Sequence, residues 1–210
     1  MEGKLKEIII KSRKLFTKFG IKSVSMDDIA KGCGMSKKTL YEHVTDKRDL
    51  VTKVLEQEFQ EESYAPHAVN PHAINIEQLS AIDALFAVYK SAVVFYKDFN
   101  ISMEYDLIKY YPDLFETVKM KRRKRLYEKF SINMLQGRKE KMFREDFNID
   151  IIAKLHILKI ESLLNTDIFE EDDYSVVEIF KELFLYHFSA IATDKGRDAL
   201  YIKIKEMENV

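Results

Sequence analysis

Helix-breaking residues are scarce in this chain, which has only six glycines and three prolines among its 210 residues. Strong helix formers such as leucine, lysine and glutamate are abundant instead. Apolar side chains recur at helical spacing along most of the sequence, and no long segment alternates between apolar and polar residues as a half-buried strand does. The sequence therefore predicts an all-α fold of about nine to ten helices.

Local signals set the expected helix boundaries. A first helix is predicted at roughly 3–19, ended by Gly20. Ser25 is expected to cap a second helix that ends near Gly32 to Gly34, Ser36 a short third helix, and Thr45 or Asp46 a fourth at about 46–63. A loop is predicted at 63–75, followed by helices at roughly 77–97, 101–110, 112–136, 149–165, 175–193 and 195–208, with Gly137 and Gly196 as breaks.

The charge is unevenly distributed, although the net charge is only −1. Residues 1–53 carry a net charge of +6 and the remainder −7, which is typical of a DNA-binding head attached to a separate body. We expect a DNA-binding domain at 1–50, linked by the fourth helix to a body at 64–210. The single cysteine, the absence of a secretory signal and the lack of a long apolar run predict a cytoplasmic protein without a membrane span.

The segment Met26–Val44, MDDIAKGCGMSKKTLYEHV, has the pattern of a helix-turn-helix. Ala30 provides the small residue that two steeply crossing helices need at their contact, and Gly34 permits the positive φ of a tight turn. Leu40 is expected to face the core. The opposite face of the third helix then offers side chains suited to phosphates and base edges, namely Lys37, Lys38, Thr39, Tyr41 and His43. The alternative is a three-helix module that binds protein or only packs.

The same region resembles the N-terminal signature of the TetR family of transcriptional regulators. The matching motifs are LFTKFG at 15–20, IAKGCGMS at 29–36, TLYEHV at 39–44 and KRDL at 47–50. The resemblance implies that Tyr41 and Lys47 contact phosphate, and Ser25 is expected to act both as a cap and as a phosphate contact. Glu42 is a departure from the family pattern, because a carboxylate that faced DNA would repel phosphate. It should therefore point away from DNA or accept a hydrogen bond from a cytosine amino group. Cys33 is expected to be a small apolar filler rather than a redox sensor.

Apolar and aromatic residues cover most of the circumference of the predicted helix at 175–193. The helix at 149–165 is similarly two-sided, and the family resemblance implies that both helices form a four-helix bundle across a two-fold axis. The sequence thus predicts a homodimer through 149–165 and 175–193. The alternative is a single, fully buried central helix in a monomer.

Residues 77–136 are rich in aromatic side chains and methionine, and the resemblance implies that this region encloses a pocket for an apolar small-molecule inducer. Such side chains also form ordinary cores, so that alternative stays open. The candidate ligand-binding residues are Phe86, Tyr89, Tyr96, Met103, Tyr105, Phe115 and Met134.

Other functional signals are weak. The basic run at Lys119 and Lys121–Arg125 spreads around a helix and is expected to be a solvated surface. The five histidines lack a metal-binding spacing, and no catalytic or cofactor motif is present, so we predict neither an enzyme nor a cofactor. The sequence therefore predicts a repressor that binds palindromic double-stranded DNA and is released by an inducer. The alternatives are a helical enzyme or carrier with a vestigial head, or a family member that activates transcription or answers to a partner protein.

Overall fold

The computed structural model describes residues 2–60, 79–97, 101–162 and 174–208. These residues form ten α-helices and contain no strand, only an isolated bridge between Phe143 and Ala192. The all-α prediction is therefore confirmed. The helices are α1 (Glu2–Phe19), α2 (Met26–Gly32), α3 (Lys37–Tyr41), α4 (Lys47–Gln60), α5 (Ala81–Lys97), α6 (Ile101–Tyr110), α7 (Pro112–Lys139), α8 (Ile149–Ser162), α9 (Val176–Ile191) and α10 (Asp194–Glu208).

The predicted helix starts agree with the caps that the structure shows. Ser25 and Ser36 are the N-caps of α2 and α3, and each side chain accepts a hydrogen bond from a backbone amide of the first turn. Asp46 precedes α4, and its Oδ1 accepts a hydrogen bond from the amide of Asp49 at 2.8 Å. The predicted loop at 63–75 and the predicted ends of the helices at 46–63 and 149–165 fall outside the described residues.

Two glycines that were predicted to mark breaks lie inside helices instead. Gly137 is within α7, where a Cβ atom would come 2.1 Å from the ring of Phe143. Gly196 is within α10, where a Cβ atom would come 2.0 Å from the carbonyl oxygen of Met142. The prediction was wrong because each glycine serves close packing against the segment that follows α7, and neither is needed for a break in the backbone.

The first of two compact units contains α1 to α4, α6 and the first part of α7, that is, residues 2–60 and 101–121. Its core is mainly aliphatic, with Ile8, Phe16, Ile21, Ile29, Leu40, Leu50, Val54, Leu107 and Val118 all buried. Residues 101–121 were predicted to belong to the body, whereas these contacts group them with residues 2–60. Buried Asp106 links α6 to the loop after α1, because its Oδ2 accepts a hydrogen bond from the amide of Lys22 at 2.7 Å.

The second unit contains α5, the remainder of α7, and α8 to α10. Its core, called here the aromatic core, is rich in aromatic rings and includes the buried residues Phe86, Tyr89, Phe130, Phe143, Phe180, Phe184 and Phe188. The rings form a connected series of tilted, edge-on and stacked contacts, with centroids 4.8 to 6.5 Å apart. No helix among the described residues has both the length and the apolar character to cross a membrane.

Candidate nucleic-acid interface

A short turn joins α2 to α3 and fixes the angle at which they cross. Gly34 has a φ of +66°, and its amide donates to the carbonyl of Lys31 at 3.0 Å. The amide of Met35 donates to the carbonyl of Ala30, also at 3.0 Å. Ala30 is buried, as expected for a small residue at a helix crossing. These features form the helix-turn-helix that the sequence predicts.

The third helix has one buried and one exposed side. Leu40 and the following Val44 are buried in the aliphatic core of the first unit. Lys37, Lys38 and Tyr41 are exposed, and His43 is half-buried. The arrangement exposes two ammonium groups and a phenol on one side of the helix. Glu42, the C-cap of α3, is also exposed.

Lys37 is engaged in an ion pair that the sequence analysis did not anticipate. Its Nζ lies 2.8 Å from Oδ2 of Asp27 in the first turn of α2, and both side chains are at least half exposed. The hydrogen bond from Lys37 to Asp27 raises the pKa of this lysine. Asp27 therefore competes for the charge that Lys37 would offer to DNA. Residue spacing could have suggested the pair only after the crossing of the two helices was known.

The hydroxyl groups of Ser25 and Thr39 are occupied at helix starts. Ser25 Oγ accepts from the Asp28 amide at 3.2 Å, and the Ser25 amide donates to Asp28 Oδ2 at 2.8 Å, which completes a capping box. Ser25 Oγ also donates to Asp28 Oδ2 at 2.6 Å. Thr39 Oγ1 lies 2.9 Å from the Oγ of Ser36. Hydrogen bonds with Ser25 lower the pKa of Asp28, so this cap carries a negative charge. The cap prediction for Ser25 is confirmed, and its phosphate contact stays a prediction.

Lys47, the first residue of α4, lies beside the loop between α1 and α2. Its Nζ donates to the carbonyl oxygen of Lys22 at 3.3 Å. Partial burial lowers the pKa of Lys47, because desolvation disfavours its charged form. A carbonyl oxygen does not neutralise the ammonium group, and the charges of Asp106 and Asp28 favour its charged form.

The seven candidate ligand-binding residues do not lie in one cluster. Phe86, Tyr89 and Met134 are buried in the aromatic core of the second unit. Met103 and Phe115 are half-buried against the aliphatic core of the first unit, and Tyr105 is exposed there. The side chain of Tyr96 falls outside the described residues. Sequence spacing could not separate these groups, because α6 and the start of α7 belong to a different unit from α5.

Two histidines that the sequence analysis set aside form a buried pair in the second unit. The ring centroids of His156 and His187 are 4.2 Å apart, and His156 Nδ1 and His187 Nε2 have no hydrogen-bond partner among the described residues. Burial lowers the pKa of His187 to about 4, and burial also lowers the pKa of His156 well below its usual value. Within the described ranges, no group of three ligating side chains could hold a metal.

Two further predictions concern Cys33 and the basic run on α7. Cys33 is buried in the first unit, and desolvation raises the pKa of its thiol, which fits a small apolar filler. Lys119 lies 3.6 Å from Glu116, and Arg123 makes a bidentate pair with Glu161 at 2.6 and 2.7 Å. Carboxylates thus accompany at least these two members of the basic run.

Comparison with known proteins agrees with this architecture. Residues 8–54 match the model of the bacterial regulatory proteins of the tetR family. A transcriptional regulator from Cytophaga hutchinsonii is 21% identical with a TM-score of 0.69, covering 91% of this chain and 100% of its own. A TetR-family regulator from the same organism is 15% identical with a TM-score of 0.65, covering 90% of this chain and 95% of its own. No curated protein matches the chain.

A third similar structure is that of AibR in complex with isovaleryl coenzyme A and operator DNA. It is 15% identical to this chain with a TM-score of 0.55, and the alignment covers 88% of this chain and 98% of AibR. At these identities the likeness concerns the fold. The helix-turn-helix geometry and the matched segment together define a helix-turn-helix regulator. The match to the tetR family covers residues 8–54, and the likeness of the rest of the chain to these structures concerns its fold.

Proposed function

We propose that this protein is a sequence-specific DNA-binding repressor that acts in the cytoplasm. The observation that carries the proposal is the helix-turn-helix, in which a buried Leu40 fixes α3 while Lys37, Lys38 and Tyr41 remain exposed. Helices of this kind enter the major groove, where side chains read base edges. Lys47 and Ser25, at the starts of α4 and α2, would hold the flanking phosphates.

The proposal includes a homodimer formed through α8 and α9. Ile151, Leu155 and Leu158 follow one another at spacings of four and three residues on α8, and all three are exposed. Tyr186 of α9 is 70% exposed, and the ammonium group of Lys159 lies 4.8 Å from its ring centroid. An apolar stripe at this spacing can pack against a facing helix. A second copy of the chain would supply two such helices, its own α8 and α9. The two recognition helices would then reach successive major grooves of a palindrome.

The proposal also includes release of the DNA by a small molecule. The aromatic core around Phe86, Tyr89 and Met134 supplies the kind of wall that an apolar ligand needs. AibR, whose fold is similar, is described with both a coenzyme A thioester and operator DNA. An inducer would have to bind the DNA-incompetent state more tightly, and a tenfold preference corresponds to about 1.4 kcal/mol.

The test is selection from a random duplex library with the full-length protein, followed by binding measurements on the recovered duplex. We expect an enriched palindrome, and we expect Tyr41→Phe and Lys47→Ala to bind it more weakly than the wild type does. Sedimentation of the free protein should give a dimer at micromolar concentration. Failure to enrich any sequence at moderate salt would contradict the proposal and favour a helical carrier or enzyme with a vestigial head.

A second experiment addresses release. Metabolite extracts are added to the complex with the selected duplex, and dissociation is followed by fluorescence anisotropy. Dissociation by a small, protease-resistant component supports an inducer. If only a protease-sensitive component dissociates the complex, the regulator answers to a partner protein instead.

A further inference from the structure

Lys22 lies outside the helix-turn-helix pattern, yet it is held beside the proposed phosphate contact. Its amide donates to Asp106 of α6 at 2.7 Å, and its carbonyl oxygen accepts from Nζ of Lys47 at 3.3 Å. Gly20, with a φ of +79°, allows the chain to approach α6 so closely that a Cβ atom would lie 2.9 Å from Asp106. The loop after α1 is therefore fixed between α4 and α6, within one compact unit.

Two ammonium groups gather around one aromatic ring at this place. Nζ of Lys22 lies 5.1 Å and Nζ of Lys109 5.6 Å from the ring centroid of Tyr110. Lys109 also lies 5.2 Å from the ring centroid of Tyr105, and its Nζ donates to the hydroxyl of Tyr105 at 2.9 Å. All four residues are exposed. We call Lys22, Tyr105, Lys109 and Tyr110 the α6 surface.

The charges of the α6 surface suit an anion. Among the described residues, neither Lys22 nor Lys109 forms an ion pair with a carboxylate, in contrast to Lys37 and Arg48. Hydrogen bonding with Tyr110 raises the pKa of Lys22, and the charge of buried Asp106 acts in the same direction, while the like charge of Lys109 opposes this rise. Both lysines are thus charged near neutral pH and repel each other. A phosphate group between the two ammonium groups would offset their repulsion by its negative charge. It could also accept a hydrogen bond from a tyrosine hydroxyl group.

We infer that the α6 surface binds phosphates of the DNA backbone next to the one held by Lys47, which extends the contact beyond the helix-turn-helix. The inference rests on the proposed DNA-binding function. A phosphodiester strand is the occupant that the position favours, because Lys22 adjoins Lys47 and a strand places its next charge only a few ångströms further along. The α6 surface would add affinity without reading sequence.

The test compares the wild type with the double variant Lys22→Ala, Lys109→Ala on the selected duplex between 50 and 200 mM salt. Each lost phosphate contact lowers the slope of log affinity against log salt by about 0.9, so the change should be about 1.8 per bound protomer. Over this range the wild type should lose about 12-fold more affinity per protomer than the variant. Lys22→Arg, Lys109→Arg should keep the wild-type slope. The control is Lys195→Ala, which removes an exposed charge from the second unit.

A second arm locates the contact on the DNA. Neutral methylphosphonates replace single phosphates at the ends of the half-site, and we expect one or two positions that weaken the wild type but not the double variant. An unchanged salt slope in the double variant, with the wild type still bound specifically, would overturn the inference and leave the proposed function intact. Binding to phosphatidylglycerol vesicles that is lost in the variant, with unchanged DNA binding, would also overturn it and assign the surface to a membrane. No specific binding by the wild type would contradict the proposed function itself.

Discussion

The two units of this chain are built from different apolar residues. In the first unit the buried side chains are mostly isoleucine, leucine and valine, and Phe16 is the one aromatic ring in its buried cluster of described residues. In the second unit seven buried aromatic rings form a connected network that also contacts His156 and His187. The first unit thus uses its core to fix short helices whose exposed side carries the proposed DNA contacts. The second unit instead has its aromatic rings and its histidine pair buried in the core.

The largest expected effect is the loss of a core ring from the second unit. Phe188 is fully buried between Phe130, Phe143, Phe184 and the two histidines. Phe188→Ala should lower the free energy of unfolding by about 3–5 kcal/mol, because it removes apolar burial and leaves a cavity. Leu40→Ala in the first unit should cost about 2–5 kcal/mol. Denaturant unfolding measures both, and a cost below 1 kcal/mol for Phe188→Ala would contradict a tightly packed aromatic core.

A smaller effect is expected from acid, which should destabilise the second unit through its buried histidines. His187 has its pKa lowered to about 4 by burial, so the unfolded chain binds a proton at this residue below about pH 6.5 while the folded chain does not. Stability is therefore complete above pH 6.5 and falls as the pH is lowered toward 4. The loss is about 1.4 kcal/mol per pH unit, or about 2 kcal/mol at pH 5. Burial lowers the pKa of His156 as well, which acts in the same direction.

The measurement is denaturant unfolding between pH 5 and pH 7, a range in which ordinary carboxyl groups stay ionised. His187→Phe should give a flatter pH dependence than the wild type, whatever its stability at pH 7. If the wild type shows no loss of stability down to pH 5, the two histidines are not buried as neutral groups.

The next effect uses two caps of the same construction in different units. Ser25 and Ser175 each form a capping box, with Asp28 and Glu178 respectively. Ser25→Ala and Ser175→Ala should each cost about 1 kcal/mol of stability, because each leaves a first-turn amide without its acceptor. Only Ser25→Ala should also weaken DNA binding when both proteins are fully folded. Equal DNA affinities for the two variants would contradict a phosphate contact by Ser25.

The same contrast explains what could be predicted from the sequence. Caps, small residues at crossings and helical spacing act between near neighbours in the chain, so α1 to α4 and their ends were predicted closely. The exposed positions of Lys37, Lys38 and Tyr41 followed from the same periodicity. Interactions over long sequence distances were not predictable, since Asp106 meets Lys22 across 84 residues. For the same reason, the candidate ligand residues divided between the units, and Gly137 and Gly196 proved to be packing positions.

A modest effect is expected for Lys47 in the first unit. Lys47→Ala removes one proposed phosphate contact, which should lower the salt slope by about one unit and weaken binding to all duplex sequences alike. Fluorescence anisotropy on the selected duplex and on a scrambled duplex measures both effects. A loss confined to the selected sequence would show that Lys47 contributes to base recognition instead.

The smallest expected effect is a gain, and it tests whether Asp27 restrains Lys37. Both side chains are at least half exposed, so their ion pair contributes only about 0.2–1 kcal/mol. Asp27→Asn frees the ammonium group of Lys37 and removes a negative charge next to the proposed DNA surface. Binding to the selected duplex should therefore tighten by up to about fivefold, the equivalent of about 1 kcal/mol.

The matched control for Asp27→Asn is Asp146→Asn, which removes the carboxylate of another exposed ion pair, that with Arg144 in the second unit. This control should leave DNA affinity unchanged. In a Lys37→Ala background, Asp27→Asn should lose most of its effect, because no ammonium group is left for it to free. This double-mutant cycle measures the coupling between the two side chains. An equal gain in the presence and absence of Lys37 would show that Asp27 acts on DNA only by its own charge and does not restrain Lys37.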